Sequence, residues 1–496
     1  MSARTAAPLW LAGLLVVLAF AFQGTRGIWE PDEGRYTAAA LNMLASGDYL
    51  LPTIDGEHLH LTKPPLTYWA LAGSFAIFGH NEWAARLPAS LAFVGTGLLV
   101  FGLGRRFSPS KPWLPALVYS LSLAPFLGSN VVSTDALLVF FETAAMYCFV
   151  RAWTGVGELD RGWLRAMWLA WGLAFTTKGP PGLLPLAAVA AMLALRDRVA
   201  LRRLFDLPGL AAFVVMAFTW FAVLIAQDPA RLGYFVGYEV YDRVFTATHN
   251  RNAEWYGAAL VYGPAFLLGA LPWWPVALAA AGGPRAAWSG LSVRIAARDR
   301  DWLLLLWWFA LPLAVFCLAK SRLQLYVSPL FVPLALMMSR PLARWPRLGS
   351  WGFRMFVATT AAALVALKGI AGHVLVGPDA RAMADKVRDV VAARGASEVA
   401  FVNMRPYYGL NLYLGVHVEV VDMLQRRMRS KYESEQDLCS ELARREATIY
   451  AVKEARSEEF VDAVARCGGG PARPVGRFEV DRNRVALFMV ESSRLD

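Results

Sequence analysis

Cysteine is nearly absent from this 496-residue chain. The four copies, Cys148, Cys317, Cys439 and Cys467, show no metal-ligand spacing, which argues against a cysteine-held metal centre. Cys148 and Cys317 fall inside apolar runs, so only Cys439 and Cys467 are placed to pair in an oxidising compartment, with two free thiols as the alternative. Charge is scarce as well, at 18% of residues against 57% hydrophobic, with mean hydropathy +0.40. Residues 9–22, 87–103, 210–226, 303–318 and 356–367 carry almost none. A soluble enzyme of this size does not look like that. Also missing are a repeat of fixed period, a low-complexity tract and a convincing small-residue cleavage site before Glu30. The first apolar run therefore reads as a retained anchor.

What is present is a series of apolar runs close to the length a helix needs to cross ~30 Å of hydrocarbon. Hydropathy places them near residues 8–22, 83–104, 113–129, 136–152, 163–176, 181–195, 207–227, 258–281, 302–319, 323–338 and 349–370. With two short or re-entrant helices allowed for, the expectation is an α-helical polytopic membrane protein of about 11 to 13 spans.

The net charge of +11 would suggest nucleic acid in a soluble protein, but its location excludes that reading. From Pro378 onward basic and acidic residues balance, so the whole excess lies in the apolar part. There it alternates. Arg105, Arg106 and Lys111, then Arg151, Arg161 and Arg165, then Arg196, Arg198, Arg202 and Arg203, then Arg285, Arg294, Arg298 and Arg300, then Arg340, Arg344 and Arg347 mark cytoplasmic connections. The opposite connections hold Glu30, Asp32, Glu33, Asp48, Asp55 and Glu57, then Asp135, then Asp228, Glu239, Asp242 and Glu254. This pattern predicts a cytoplasmic N-terminus and, with an odd number of spans, a C-terminal segment outside.

That segment alternates strand-like runs at 398–403, 416–421, 448–453 and 485–491 with helical stretches at 380–393 and 457–465. It reads as a small α/β domain, which divides the chain into 1–376, a transmembrane domain, and 377–496, an extracytoplasmic domain long enough to bury its own core.

Polar residues concentrate at the outer span ends. Trp29-Glu30-Pro31-Asp32-Glu33-Gly34-Arg35-Tyr36 puts two adjacent carboxylates at the membrane surface. Charge there is costly without a purpose, and Asp32 and Glu33 suit a general base, a metal ligand or a cation site, with helix capping as the plain alternative. In Leu61-Thr62-Lys63-Pro64-Pro65-Leu66-Thr67-Tyr68-Trp69, the prolines hold Lys63 in an extended segment, which suits a phosphate or an interfacial snorkelling lysine. Asp135 in Ser133-Thr134-Asp135 opens a span, and Lys178-Gly179-Pro180-Pro181-Gly182 breaks two, an arrangement found where backbone and charge line a cavity. Lys320-Ser321-Arg322-Leu323-Gln324-Leu325-Tyr326 sets cations on the outer side, where they want an anion. The long outer loop from 228 to 255 adds Glu239, Arg243 and His249 among aromatics, able to frame a sugar or a phosphate; His249 alone is more often structural.

As an ordered set, Pro31-Asp32-Glu33-Gly34-Arg35-Tyr36, Met43-Leu44-Ala45-Ser46-Gly47-Asp48-Tyr49, Lys63-Pro64-Pro65-Leu66-Thr67-Tyr68-Trp69, Ala85-Arg86-Leu87-Pro88, Thr177-Lys178-Gly179, Leu271-Pro272-Trp273-Trp274 and Lys320-Ser321-Arg322-Leu323-Gln324-Leu325-Tyr326 resemble the aminoarabinose transferases. These are membrane glycosyltransferases of the GT-C fold, a group that includes the protein O-mannosyltransferases. The resemblance covers residues 29 to about 370. It implies an inverting transfer of a sugar from a polyprenyl phosphate to a lipid (lipid A-like), glycan or protein acceptor on the outer face of the bacterial cytoplasmic membrane. By position it implies Asp32 and Asp135 as catalytic carboxylates, and Lys63, Lys178 and Tyr326 near the carrier phosphate. The chemical reading adds Glu33 to the first group and Arg243, Lys320 and Arg322 to the second. Where the aminoarabinose enzymes have tyrosine and glutamate before the lysine and histidine after the later glutamate, this chain has His60, Thr62 and Val240, which leaves a divalent cation, the metal ligands and the acceptor open. The alternative readings are a transporter or flippase for an anionic lipid or lipid-linked sugar, which calls for related halves and mid-span charge, and a non-catalytic assembly subunit.

Overall fold

The computed structural model describes residues 8–56, 58–155, 157–246, 248, 251–297, 299–374, 378–423, 435–444, 446–480 and 483–490. Glu57, His249 and Arg298 lie outside the described residues. The chain forms two compact units, residues 1–23, 63–66 and 88–370 in the first, and residues 24–62, 67–87 and 371–496 in the second.

The first unit is helical, and a helix or broken helix stands at each apolar run that falls within it. Three charge-poor helices, Leu207–Gln227, Arg300–Leu318 and Trp351–Ala371, are long and apolar enough to cross a membrane, as is the continuous stretch Gln324–Ala343. A further long apolar helix, Glu82–Phe107, runs from the second unit into the first. Helices Gly257–Gly269 and Trp273–Ala280 make a sixth crossing if taken together, bent by 72° at Leu271-Pro272, where proline interrupts the ladder. The run at 113–129 divides into Leu114–Ser120 and Leu123–Gly128. Shorter helices complete the unit, among them Thr134–Ala152 and Arg161–Lys178, an antiparallel pair joined through a hairpin of β1 (Trp153–Gly155) and β2 (Glu158–Leu159). Trp171, Trp273 and Trp308 are fully buried in one continuous apolar core. Trp351–Ala371, by contrast, buries little more than Phe353 and Leu364 and turns an apolar surface outward, as a lipid-facing span does.

The second unit centres on a six-stranded sheet of β3 (Glu398–Val402), β4 (His417–Asp422), β5 (Glu435–Asp437), β6 (Thr448–Lys453), β7 (Ala472–Val480) and β8 (Asn483–Val490), in the order β5-β4-β3-β6-β8-β7. The first four spatial neighbours are parallel, and the β7–β8 hairpin pairs antiparallel to β6. β3 is buried along its whole length, as a central strand of a parallel sheet should be. Helices Ala380–Arg394 and Ser457–Arg466 flank the strands, and Cys439 and Cys467 form a disulfide with Cα atoms 4.9 Å apart. The same unit contains helix Asp32–Ser46, closed by Gly47 at φ 72, and a backbone bridge from Trp29 to Asp379. β7 is the one long strand the sequence conceals. Its Arg473, Pro474, Gly476 and Arg477 are tolerable only at a sheet edge, where β7 lies.

Candidate active site

Helix connectivity explains how the first unit assembles its charged cluster. Because Thr134–Ala152 and Arg161–Lys178 run antiparallel, the N-terminus of one lies beside the C-terminus of the other. Asp135 sits in the first turn, where the backbone N–H groups favour an anion, and Lys178 is the last residue of its helix, where the carbonyls favour a cation. The two side chains form an ion pair in which both are largely buried. Gly179, at φ 75, lets the backbone leave the helix directly after Lys178, and Pro180 and Pro181 start the next turn.

From Lys178 the cluster continues through Tyr326. The Lys178 ammonium lies 4.8 Å from the centre of the Tyr326 ring. Nη1 of Arg243 donates to the Tyr326 hydroxyl over 3.5 Å, and Nη2 donates to Oε2 of Glu239 over 2.5 Å. Glu239 and Arg243 are four residues apart, and Glu239 lies in a π-helix, Tyr234–Asp242, whose wider turn is common at functional positions. Lys63 then closes the cluster with its ammonium 3.8 Å from the same Glu239 oxygen. Burial, reinforced by Arg243 and Lys178 against the pull of Glu239, lowers its pKa to about 8. Three cations thus meet two carboxylates around one tyrosine. The surplus is positive, and a phosphate would complete it.

Five residues singled out from the sequence are therefore neighbours here: Lys63, Asp135, Lys178, Arg243 and Tyr326. Glu239 joins them without having been assigned a role, although its spacing to Arg243 was a usable signal. Glu142, buried two turns along from Asp135 on the same helix, was missed because it lies inside an apolar run. Lys320 and Arg322 are not part of the cluster among the described contacts. The Lys320 side chain is exposed, and its backbone N–H donates to the Val244 carbonyl. The Arg322 guanidinium is 3% exposed and donates to the carbonyls of Asn252, Glu254 and Cys317 at 2.7, 2.7 and 2.9 Å. It ties the loop around residue 252 to the end of helix Arg300–Leu318.

Asp32 and Glu33 belong to the second unit, and adjacent positions give them opposite surroundings. The Asp32 carboxylate is half exposed and pairs with Arg35 on its own helix. Glu33 is 1% exposed and accepts from Arg26, Arg86 and the backbone N–H of Trp29 at 2.8 to 3.2 Å. Burial alone would raise its pKa, but the Arg86 and Arg26 guanidinium groups outweigh it and hold the carboxyl at about 2. A carboxylate so committed is an anchor. Glu30, one turn before, is pushed up to about 8 by burial, against the hydrogen bond it accepts from the Gly409 N–H at 2.6 Å.

Known proteins resemble this chain in sequence and in fold. Residues 62–226 match the family described as dolichyl-phosphate-mannose-protein mannosyltransferase. The chain is 30% identical over 359 residues to an undecaprenyl phosphate-alpha-4-amino-4-deoxy-L-arabinose arabinosyl transferase of Edwardsiella ictaluri, a match covering 71% of this chain and 62% of that one. A transferase of the same description from Sodalis glossinidius is 29% identical over 341 residues, covering 66% and 58%. The chain thus spans about three fifths of the length of the curated relatives it matches. Among solved structures, ArnT from Cupriavidus metallidurans bound to undecaprenyl phosphate is similar at TM-score 0.74 and 19% identity, over 98% of both chains. The Archaeoglobus fulgidus oligosaccharyltransferase follows at TM-score 0.51 and 12% identity, over 98% of this chain and 74% of that one. The fold is accordingly that of the GT-C glycosyltransferases, an α-helical polytopic membrane protein with a small C-terminal α/β domain.

Proposed function

From a chain related to the aminoarabinose transferases and built on their fold, we propose an inverting membrane glycosyltransferase that takes a sugar from a polyprenyl phosphate and gives it to a lipid A-like lipid, a glycan or a protein. The observation that carries this is the convergence of Lys63, Lys178 and Arg243 on Tyr326, with Asp135 and Glu239 as their only carboxylate partners among the described ion pairs. As the bond between the sugar's anomeric carbon and the phosphate oxygen breaks, negative charge grows on the departing phosphate. Cations already fixed around that position stabilise it without reorganising. The acceptor hydroxyl forms the new bond from the opposite face and passes its proton to a carboxylate. Asp32 is the group we assign to this step, being the exposed member of its pair. Asp135 holds the Lys178 ammonium in place, and Glu33 anchors the segment that carries Asp32.

The surroundings follow from the same reading. The chain sits in the bacterial cytoplasmic membrane with its basic connections inside and its N-terminus cytoplasmic. The α/β domain lies outside, which the Cys439–Cys467 disulfide supports. A direct assay is transfer of labelled sugar from a polyprenyl phosphate to a membrane extract by the protein in lipid nanodiscs. Lys63→Ala and Lys178→Ala should each lower turnover by about 100-fold or more, the size of losing one charge stabiliser at a transition state, and Asp32→Asn should do so with donor binding intact. Undiminished transfer by Lys63→Ala would sink the assignment.

A further inference from the structure

The second unit contains a group of buried carboxylates that glycosyl transfer leaves without a role. Glu398 opens β3, Glu419 lies in β4 and Glu441 lies on helix Leu438–Ala443, with exposures of 1, 2 and 2%. The parallel register sets Glu398 opposite both His417 and Thr448, and Ala400 opposite Glu419. With side chains alternating along a strand, Glu398, His417, Glu419 and Thr448 therefore share one sheet face. One oxygen from each of the three glutamates lies within 4.8 Å of the others. Glu398, His417 and Glu419 line a cavity of about 310 Å³ that Asp55 and Arg444 also face. Asp55 and His58 each bring an atom to within 4.8 Å of Glu419 as well.

Three carboxylates at this separation, out of water, need compensation. Arg444 supplies part of it, with Nη1 at 2.6 Å from Glu419 and 3.5 Å from Glu441. The Thr448 hydroxyl donates to Oε2 of Glu398 over 3.1 Å. Oε1 of Glu398, on a side chain 1% exposed, has no hydrogen-bond partner among the described residues, and neither has Nδ1 of His417 on the same cavity wall. An unpartnered buried acceptor beside two other carboxylates asks for a cation. We propose that Glu398, Glu419 and Glu441 form a binding site for a divalent, oxygen-preferring cation, with His417 and the Asp55–His58 pair at its edge. Carboxylate donors on separate elements suit calcium or manganese rather than a soft metal. Bound there, the ion would cross-link β3, β4, helix Leu438–Ala443 and the segment around Asp55 within this unit.

The test uses the full chain in detergent, stripped with a chelator and then titrated with Mn²⁺ at about pH 8. Free Mn²⁺ is followed by electron paramagnetic resonance, and thermal unfolding is measured with Mn²⁺ or Ca²⁺ added. Expected are one tight Mn²⁺ per chain, a higher unfolding temperature with either ion, and binding weakened about 100-fold or more in Glu398→Gln and Glu441→Gln. The exposed control Asp385→Asn should bind as wild type does. Both glutamine variants remove a buried negative charge, so they should unfold no earlier than stripped wild type, which separates lost binding from lost folding; Glu398→Asp, with charge kept and reach shortened, should fall between. No Mn²⁺ bound by stripped wild type, or equal binding by wild type and both glutamine variants, overturns the proposal. No sugar donor is present, so failure here leaves the glycosyltransferase reading untouched.

Discussion

Lys63 is the residue whose chemistry most depends on its surroundings. A lysine ordinarily titrates at 10.5, and burial beside Arg243 and Lys178 brings this one down to about 8. Between those values the unfolded chain holds a proton that the folded chain has released, so this group makes stability rise with pH across that window, and its cost is fully present below about 8. Function runs the other way, because a phosphate needs the ammonium. Affinity for a polyprenyl phosphate should therefore fall as pH rises through about 8, and fall more steeply in the wild type than in Lys63→Arg, whose guanidinium keeps its charge. A wild-type affinity that does not change between about pH 7 and 9.5 would remove Lys63 from the phosphate site. Tyr326 offers a second residue-level check. Tyr326→Phe keeps the ring under Lys178 and loses only the hydroxyl that Arg243 reaches at 3.5 Å, so its cost in turnover should be about tenfold, well short of Tyr326→Ala. Lys63 and Lys178 were legible in the sequence as cations next to helix-breaking residues, and Tyr326 through the resemblance carried by its segment. Their partner Glu239 was visible only as one charge of the outer loop, four residues before Arg243, since nothing in the sequence announces the π-helical turn that brings it to Lys63.

At the scale of elements, apolar runs foretold where helices lie, because length and hydropathy are local properties. What they could not foretell was how helices break and dock. Leu66–Phe78 stands outside the apolar runs named from hydropathy, although Pro64 and Pro65 mark the place where a helix starts. The anchor of helix Asp32–Ser46 depends on Arg86, 53 residues from Glu33, and no periodicity connects them. That anchor gives a prediction separate from catalysis. Arg86→Met leaves a fully buried carboxylate with one guanidinium fewer, and breaking such a pair costs about 3–5 kcal/mol. Thermal unfolding in detergent should show a large loss for Arg86→Met and for Glu33→Gln, and almost none for Asp32→Asn, whose carboxylate is half exposed. Equal loss in all three variants would mean that Asp32 is structural too, and its catalytic assignment would have to be withdrawn.

For the whole molecule, the proposal turns on which side of the membrane each part occupies, and here charge and sulfur chemistry make independent statements. The alternating arginine-rich connections argue for inside and outside loops by an insertion rule that concerns the apolar part alone. The Cys439–Cys467 disulfide concerns the α/β domain alone, and such bonds persist where glutathione and thioredoxin do not reduce them. The sequence could nominate this pair only by elimination, because proximity across 28 residues is a product of helices Leu438–Ala443 and Ser457–Arg466 packing together. If both statements describe one topology, an alkaline phosphatase fused after residue 490 should be active in whole cells, and a fluorescent protein that matures only in the cytoplasm should be dark at the same position. The two thiols should resist alkylation until a reductant is added. Cys439→Ser should then lower the stability of the α/β domain by about 2–4 kcal/mol, read as an earlier unfolding step, while leaving the charged cluster of the other unit unchanged in composition. A bright fluorescent fusion together with freely alkylated thiols would place the domain in the cytoplasm, and the outward-facing reaction would have to be abandoned with it.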